Sequence, residues 1–597
     1  MDKKLYLLAT AMLTLSGSAI AQDTGESVNL LPDNVITNIS SKRVMAKDKN
    51  LVVAGSPEKG YKAFFAATEK KGSEQYGEEL WVTDGTPEGT HIVKDINPGT
   101  ASSNPVWISR LNDKVLFGAT DENGDQGIWV SDGTEEGTKM IYKTNDMGED
   151  DPMFFCQVNE TQAVFAAVNV DGMQMSDDEK PHFVYVTDGT EEGTKLISDK
   201  VNWIASADDN NQHAPFVRVG RKVFFQGKDI DNLYGEEPWV TDGTEEGTHM
   251  VKDCRTDPDK KNPGHTLGAH LNNFENYKNK LLFFTCYTNA TGHEVWRSDG
   301  TEEGTYLVKD FNPKKNPTNG EGAGNGAFAP SLEVYKDCIL FRGTDGSNAG
   351  MELASANLET NEMKLYDVWP GTSTNDKGQQ VANESFPDPG AVFDGVYIFC
   401  AADGFDANGD KNYNHGGEQR IFDGEKVTLQ KDFCPGTLCD WVKEPIVANG
   451  SLYWYNEGND VAQGFGSGLY RLDSKDATPV VCTRVTADGD FANTLRNLDG
   501  NILWVSNSKD AKYQQKLFCY KYQKSGWDGK TDKGILEPVF DTTSNGITDI
   551  AAKNNTGKAN VYTIDGVLVR SNVPAISATD GLAKGLYIVG NKKVAVK

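Results

Sequence analysis

Glu79-Leu80-Trp81-Val82-Thr83-Asp84-Gly85-Thr86-Pro87-Glu88-Gly89-Thr90 decides how this chain is read, because its second half returns four more times. The copies are Trp129-Val-Ser-Asp132-Gly133-Thr134, Tyr185-Val-Thr-Asp188-Gly189-Thr190, Trp239-Val-Thr-Asp242-Gly243-Thr244 and Trp296-Arg-Ser-Asp299-Gly300-Thr301. Each is followed by Glu-Gly-Thr, ending at Thr138, Thr194, Thr248 and Thr305. Self-similarity at a period of a few tens of residues is the signature of a solenoid, a propeller or a tandem array.

A second signal extends the count. Upstream of each phrase a short apolar run carries one aromatic residue at a matching place: Phe65, Phe117, Phe165, Phe225, Phe284, Phe341, Phe399, Trp454 and Trp504, spaced 48 to 60 residues apart. Nine units are therefore visible. The last four carry eroded counterparts of the phrase at Met351-Glu-Leu353, Arg420-Ile421-Phe422, Leu469-Tyr470 and Leu517-Phe518.

The second unit shows the internal pattern. Val106–Leu111 reads as a strand, Asn112-Asp113 as a two-residue turn favouring positive φ, and Lys114–Thr120 as a second strand. Gly127–Val130 and Lys139–Tyr142 supply a third and a fourth. Other units place Lys278-Asn279, Lys336-Asp337, Asp394-Gly395, Asn449-Gly450 and Asp499-Gly500 at the first hairpin tip. Four short antiparallel strands per ~50 residues form the blade of a β-propeller. The expected fold class is all-β: one large propeller over 51–543 with eight or nine blades, followed by a small C-terminal β domain over 544–597. Residues 22–50 form an N-terminal segment, within which 42–47 are expected to add a closing strand to the last blade, hiding its edge.

The phrase has a turn's chemistry. Trp in the third strand presents a large apolar face to the neighbouring blade, and its N–H seeks a carbonyl. The Asp side chain closes an Asx-turn two residues on, and the next Gly tolerates φ > 0. The competing reading is an acidic rim of these Asp residues with Glu88, Glu136, Glu192, Glu246 and Glu303, binding cations.

These phrases resemble the bacterial ELWxxDGT repeat family, named for Glu-Leu-Trp-x-x-Asp-Gly-Thr; the match is strong over residues 60–310 and weak over 311–540. The resemblance implies an exported, repeat-built β protein and transfers no catalytic residue. The end of the chain has its own pattern: Asn560–Val569 reads as a hairpin around Asp565-Gly566, and Gly585–Val589 and Val594–Lys597 follow as strands. It resembles the C-terminal sorting domains of Bacteroidetes type IX secretion cargo. That likeness implies the secretion machinery as a partner and delivery to the outer surface.

The N-terminus reads as a signal peptide over residues 1–21. Lys3 and Lys4 precede the apolar Leu5–Leu15, and Ala19-Ile20-Ala21 is a small-residue cleavage site. The expected location is therefore outside the cytoplasm, at the outer surface or extracellular, otherwise periplasmic. No membrane span is expected, since no later stretch approaches ~18 unbroken apolar residues. A formal net charge of −28 argues against nucleic acid as a partner. Nine cysteines make an odd number for an oxidising route. Cys434 and Cys439 suit a local loop disulfide, whereas Cys286, Cys338 and Cys400 fall in strand-like runs as buried thiols.

Two loops resemble calcium ligand strings. Asp121-x-Asn123-x-Asp125 and Asp406-x-Asn408-x-Asp410 space oxygen donors two apart, with Glu418 twelve residues beyond Asp406, as in an EF-hand-type loop. Gln126 and Lys411 replace the glycine that such loops carry at the sixth place. Ca2+ is thus the one cofactor that the spacing suggests. No Gly-x-Ser-x-Gly elbow, phosphate loop or His-Glu-x-x-His helix is present. The expected function is a non-catalytic binding or adhesion protein for a glycan or protein ligand, with Trp203, Tyr234, Trp369 and Tyr413 as loop aromatics for stacking. The alternative is a glycan-active hydrolase or lyase with a symmetry-breaking pocket on one propeller face.

Overall fold

The computed structural model describes residues 25–37, 39, 51–71, 74–144, 153–168, 182–204, 216–315, 326–347, 349–374, 377–402, 417–431, 442–456, 468–484, 492–508, 514–522, 524, 558–563, 568–574, 585–589 and 592–596. Every regular element among them is a β-strand. Nine successive antiparallel units run from Val52 to Lys521, each built on three or four short strands adjacent in sequence. The second is Val106–Leu111, Lys114–Thr120, Gln126–Ser131 and Lys139–Lys143, matching its sequence reading strand for strand. The sixth unit is followed by an extra hairpin, Thr372–Thr374 with Gln380–Ala382.

The hairpin tips follow from backbone chemistry. Asn112, Lys278, Asn279, Lys336, Asp394, Asn449 and Asp499 all have φ between 49° and 56°. Such a backbone matches the right-handed twist of the flanking strands. A feature with no sequence signal is a bulge in the first strand, where Trp107, Phe154, Asn273 and Thr494 take φ of 55° to 60°.

The nine aromatic positions are one seat repeated nine times. Phe65 lies opposite Trp81, Phe117 opposite Trp129, Phe165 opposite Tyr185, Phe225 opposite Trp239 and Phe284 opposite Trp296. The eroded units keep the register with Phe341–Ala354, Phe399–Arg420, Trp454–Tyr470 and Trp504–Phe518. The Trp129 indole donates to the Ala119 carbonyl at 3.2 Å, and Arg420 Nε donates equally to Ala401, also at 3.2 Å, so arginine takes over the seat's hydrogen bond in the seventh unit. The indole N–H groups of Trp239 and Trp296 are buried with no acceptor among the described residues, so the expected carbonyl is found for Trp129 and not for those two.

The Asp-Gly-Thr turn is the same in all five copies. Asp242 Oδ1 accepts from Thr244 N at 2.9 Å and from Thr244 Oγ1 at 2.6 Å, and Thr244 Oγ1 accepts from Gly247 N at 3.0 Å. Thr248 Oγ1 donates to the Thr244 carbonyl, while the hydroxyls of Thr241 and Thr248 lie 2.7 Å apart. The first glycine has φ of 83° to 89° in every copy. The second is glycine for a different reason: a Cβ at Gly89, Gly137, Gly193, Gly247 or Gly304 would overlap the carboxylate of its own turn's Asp.

Each turn also docks on the preceding unit. Gly133 faces Phe64 and Lys62, Gly189 faces Leu111 and Val130, Gly243 faces Val158 and Val186, and Gly300 faces Phe224. Lysines pin the same junctions: Lys222 Nζ donates to the Asp299 carbonyl at 2.9 Å, Lys252 to Thr305 at 2.8 Å and Lys94 to Thr138 at 3.1 Å. Apolar cores consequently lie between successive sheets, where Phe117 and Trp129 meet Phe64, Leu80 and Val82 of the first unit. Fully burying one such ring stabilises by roughly 1.5–3 kcal/mol.

The first and last units share a core as well. Leu498, Leu503, Val505, Leu517 and Cys519 pack with Val53, Ala63, Phe65 and Trp81, and Gly85 faces Leu498 and Cys519. The N-terminal segment completes this junction. Glu26–Asn29 pairs with Gln514–Lys521 as the fourth strand of the ninth unit, and Val35–Thr37 bridges from that strand to Gly60–Lys71. Residues 42–47, the expected closing strand, lie outside the described residues.

Pro538–Lys597 forms a second compact unit. Its sheet runs in the order Leu568–Pro574, Lys558–Thr563, Gly585–Val589, Lys592–Val596; Asp565-Gly566 lie outside the described residues.

Removing the second glycine tests the turn. Gly247→Ala should destabilise by roughly 1–3 kcal/mol through overpacking against Asp242, and Asp242→Ala by about 1–2 kcal/mol through its lost hydrogen bonds. Denaturant midpoints of the double variant should show less than the sum of the two losses, because deleting the carboxylate removes the overlap. Strict additivity would contradict the packing account.

Candidate functional site

Two residues before the Trp seat, on the same strand, five units carry glutamate. Glu79 lies opposite Ala67, Glu237 opposite Gly227, Glu294 opposite Cys286, Glu352 opposite Gly343 and Glu418 opposite Ala401. The first four are buried and clamp the connector leading to the next unit. Glu79 accepts from Ile96 N, Ser103 N and Ser103 Oγ; Glu237 from Cys254 N at 2.8 Å; Glu294 from Phe311 N and Asn312 N, each at 3.1 Å; and Glu352 from Val368 N, Ser385 N and Ser385 Oγ. The sequence carried this signal, a glutamate two places before the seat, yet only the name of the phrase used it.

Burial pushes the Glu79, Glu294 and Glu352 carboxyls up to about 7, against the donated hydrogen bonds, and pushes Glu237, with Cys254 and Asp253 close by, up to about 10. In the ninth unit the polarity inverts. Lys516 occupies the clamp place opposite Ser506 and donates to the carbonyls of Pro32, Asp33 and Val35, fastening the N-terminal segment.

The calcium candidates fall as follows. Asp121 Oδ1 accepts from Asn123 N at 2.9 Å and Asp125 N at 2.8 Å, Asn123 Nδ2 donates to Asp121 Oδ2, and Lys143 pairs with Asp125 at 2.6 Å. The loop is thus a turn closed by protein donors. Asp406, Asn408 and Asp410 lie outside the described residues, while Glu418 stands at the clamp place in a paired strand. Among the described residues no three His, Cys, Asp or Glu side chains gather as a metal would require. Of the loop aromatics, Tyr234 is exposed; Trp369 keeps its indole N–H buried without an acceptor among the described residues; Tyr413 and the Trp203 side chain lie outside them.

The junction between the fourth and fifth units gathers the groups with reactive potential. Its connector, residues 251–271, folds back on itself through a bridge between Pro258 and Thr266. Arg255 is buried and donates one hydrogen bond from each guanidinium nitrogen: Nε to Asp257 at 3.1 Å, Nη1 to the Gly268 carbonyl and Nη2 to Asn289 Oδ1, each at 2.9 Å. Its guanidinium lies 4.8 Å from the Tyr287 ring centre. Around the same ring stand His293, at 5.1 Å between centroids, and the exposed His270, at 6.3 Å. Burial first, then the charges of His270 and Arg255, lower the His293 imidazole to about 4. A neutral imidazole thus sits beside a fixed cation and an aromatic ring. Such a pair can accept a proton and stabilise developing negative charge. Ile230, Leu233 and Tyr234 form an exposed apolar rim on the adjoining loop, which is tied to the connector by Thr266 N on the Leu233 carbonyl. Sequence reading missed this cluster because its members come from a connector, a loop end and two strands.

No family model matches the chain, and no curated protein matches it. Among solved structures, a puromycin hydrolase is 13% identical over 72% of this chain and 62% of its own, with a TM-score of 0.30. A prolyl endopeptidase from a study of two such enzymes is 11% identical over 68% of this chain and 54% of its own, at a TM-score of 0.32. An uncharacterized protein from Listeria monocytogenes EGD-e is 12% identical over 58% of this chain and 97% of its own, at 0.25. The chain spans about half the length of the puromycin hydrolase variant and the prolyl endopeptidase that it matches. The expectation of a non-catalytic binder is corrected on this finding, since the named neighbours are hydrolases and stand with the alternative. Likeness at this level brings no residue or substrate across.

The clamps make stability depend on pH with a definite sign. Glu294 has a folded value near 7, above its ordinary 4.5, so the folded state binds more protons between those values. Its contribution is therefore full below about 4.5 and is lost as pH rises through about 7. The midpoint difference between wild type and Glu294→Gln, read by thermal unfolding at pH 5 and pH 8, should favour wild type more at pH 5. A difference that grows toward pH 8 would contradict the assignment.

Proposed function

We propose that this chain is an exported glycan-active hydrolase built on a closed nine-bladed β-propeller, with its reactive groups at the junction of the fourth and fifth blades. The observation that supports it is the neutral His293 beside the fixed guanidinium of Arg255, both against Tyr287. In this reading His293 draws the proton from the attacking water, Arg255 stabilises the developing anion, and the Ile230–Leu233–Tyr234 rim receives the apolar face of a sugar ring. Closure of the ring is supported by the core shared between the first and last units and by Glu26–Asn29 as the missing fourth strand. Membership of the ELWxxDGT repeat family, and surface delivery through the C-terminal unit, belong to the same proposal.

Incubation with a polysaccharide panel, with a peptide panel alongside, should release reducing ends from a glycan. His293→Ala should lower that turnover by about 10²–10⁴-fold while leaving the thermal midpoint nearly unchanged. Absence of product from every polysaccharide, turnover of peptides alone, or full activity in His293→Ala would defeat the reading.

A further inference from the structure

Three connectors deliver one left-handed residue to the same place. Ser103, Ala269 and Ser385 each lie near the end of a connector, and their carbonyls accept from the residue three past the aromatic seat: Thr120 N at 2.9 Å, Tyr287 N at 2.8 Å and Ala402 N at 2.8 Å. The next residues, Asn104, His270 and Phe386, are exposed and take φ of 48°, 45° and 43°. Asparagine tolerates that backbone, whereas a bulky ring there is an outlier, kept only where its surroundings over-determine it. Around Phe386 they do. Glu352 accepts from Ser385 N and Oγ, and Phe386 N donates to the Met351 carbonyl at 3.3 Å. At the matching place of the fifth unit, His270 edges the Tyr287 ring of the reactive cluster. The shared register therefore puts Phe386 at the same end of the sheets as that cluster, two units on.

We propose that Phe386 is a stacking platform for a sugar ring of a neutral glycan, a binding subsite separate from the His293–Arg255 cluster. Its ring is 46% exposed, and the Arg342 guanidinium lies over it, 5.7 Å from the ring centre. Arg342 is itself held: Nε and Nη2 donate to the Pro387 carbonyl at 3.1 and 2.9 Å, and Nη2 pairs with Asp388 at 3.1 Å. That aspartate offsets the cation, so nothing here calls for an anionic ligand. Just upstream the chain adds the hairpin Thr372–Thr374 with Gln380–Ala382, the one two-stranded sheet among the described residues. Its second strand ends four residues before Phe386. Gln380 is ordered along it, accepting from Thr372 Oγ1 at 3.0 Å and donating to Thr374 Oγ1 at 2.5 Å. Among the described residues of 371–383 only Lys377 is charged, in a chain of net charge −28. A pinned aromatic face near ordered hydroxyl and amide groups suits the apolar C–H face of a sugar and its hydroxyls. A protein partner would call for a wider apolar centre than one ring with Val381 nearby. The class of ligand rests on the hydrolase reading, but occupancy of the platform does not depend on turnover.

The test is affinity electrophoresis of the full chain through native gels cast with starch, xylan, β-glucan or mannan, with an immobilised peptide panel alongside. The parent carries His293→Ala, which removes turnover during the run. At least one polysaccharide should retard the parent. Phe386→Asn in the same background should bind that polysaccharide about tenfold more weakly, and Phe386→Tyr should keep the retardation. Asparagine already stands at the equivalent place in the second unit, so Phe386→Asn should melt no lower than the parent, whereas a ring needed for packing would lower the thermal midpoint. Passage of the parent unretarded through all four gels, equal retardation of Phe386→Asn, loss of binding in Phe386→Tyr, a lowered midpoint in Phe386→Asn, or capture by peptides alone would overturn the proposal. Retardation that depends on Phe386, with no reducing ends released by the wild-type chain, would defeat the hydrolase reading and leave the platform standing.

Discussion

One turn makes the array possible. Its aspartate spends a single carboxylate oxygen on Thr N–H and Thr O–H, and the threonine hydroxyl then caps the second glycine. Because these partners lie within six residues, the turn needs no tertiary support to satisfy its polar groups. It returns the chain from the third strand to the fourth at a fixed place, and its first glycine then offers a flat surface to the preceding sheet. Turn and docking surface are the same object, so repeating the phrase repeats the stacking. The clamps add the next constraint: a buried carboxylate ties down the connector that carries the chain onward, and that connector sets where the following sheet begins.

Units with an eroded phrase show which part is indispensable. The seventh unit loses its tryptophan and retains the seat's hydrogen bond through Arg420. In the sixth, Ala354 fills the seat, yet the Glu352 clamp survives with three donors. Lacking both Trp and Glu, the ninth draws on the N-terminus for a strand and on Lys516 for the fastening. Register is kept throughout, while the chemistry that enforces it changes.

Much of this was legible in the residues. The seats, the strand sequence of the second unit and the positive-φ tips follow from period, apolar runs and turn residues, and all are found in place. The N-terminal strand that pairs with the last unit is Glu26–Asn29, whereas residues 42–47, the expected closing strand, lie outside the described residues. Glu26–Asn29 has neither the alternation nor the apolar content of a strand, and it is one only because an open edge awaits it. Donor spacing suggests calcium at Asp121 and does not reveal that this carboxylate accepts from two backbone N–H groups. Nor could spacing find the cluster around Tyr287, whose members stand as far apart in sequence as Arg255 and His293 and meet through inter-unit packing.

The proposal on which the rest turns is that the nine antiparallel units close on themselves, with the first unit's turn resting on the last. An experimental density map of the full chain at side-chain resolution tests it most directly. The account predicts Gly85 against Leu498 and Cys519, with Glu26–Asn29 paired to the strand ending at Lys521. A map in which the first and last sheets stand apart, or in which another segment fills that edge, would contradict it.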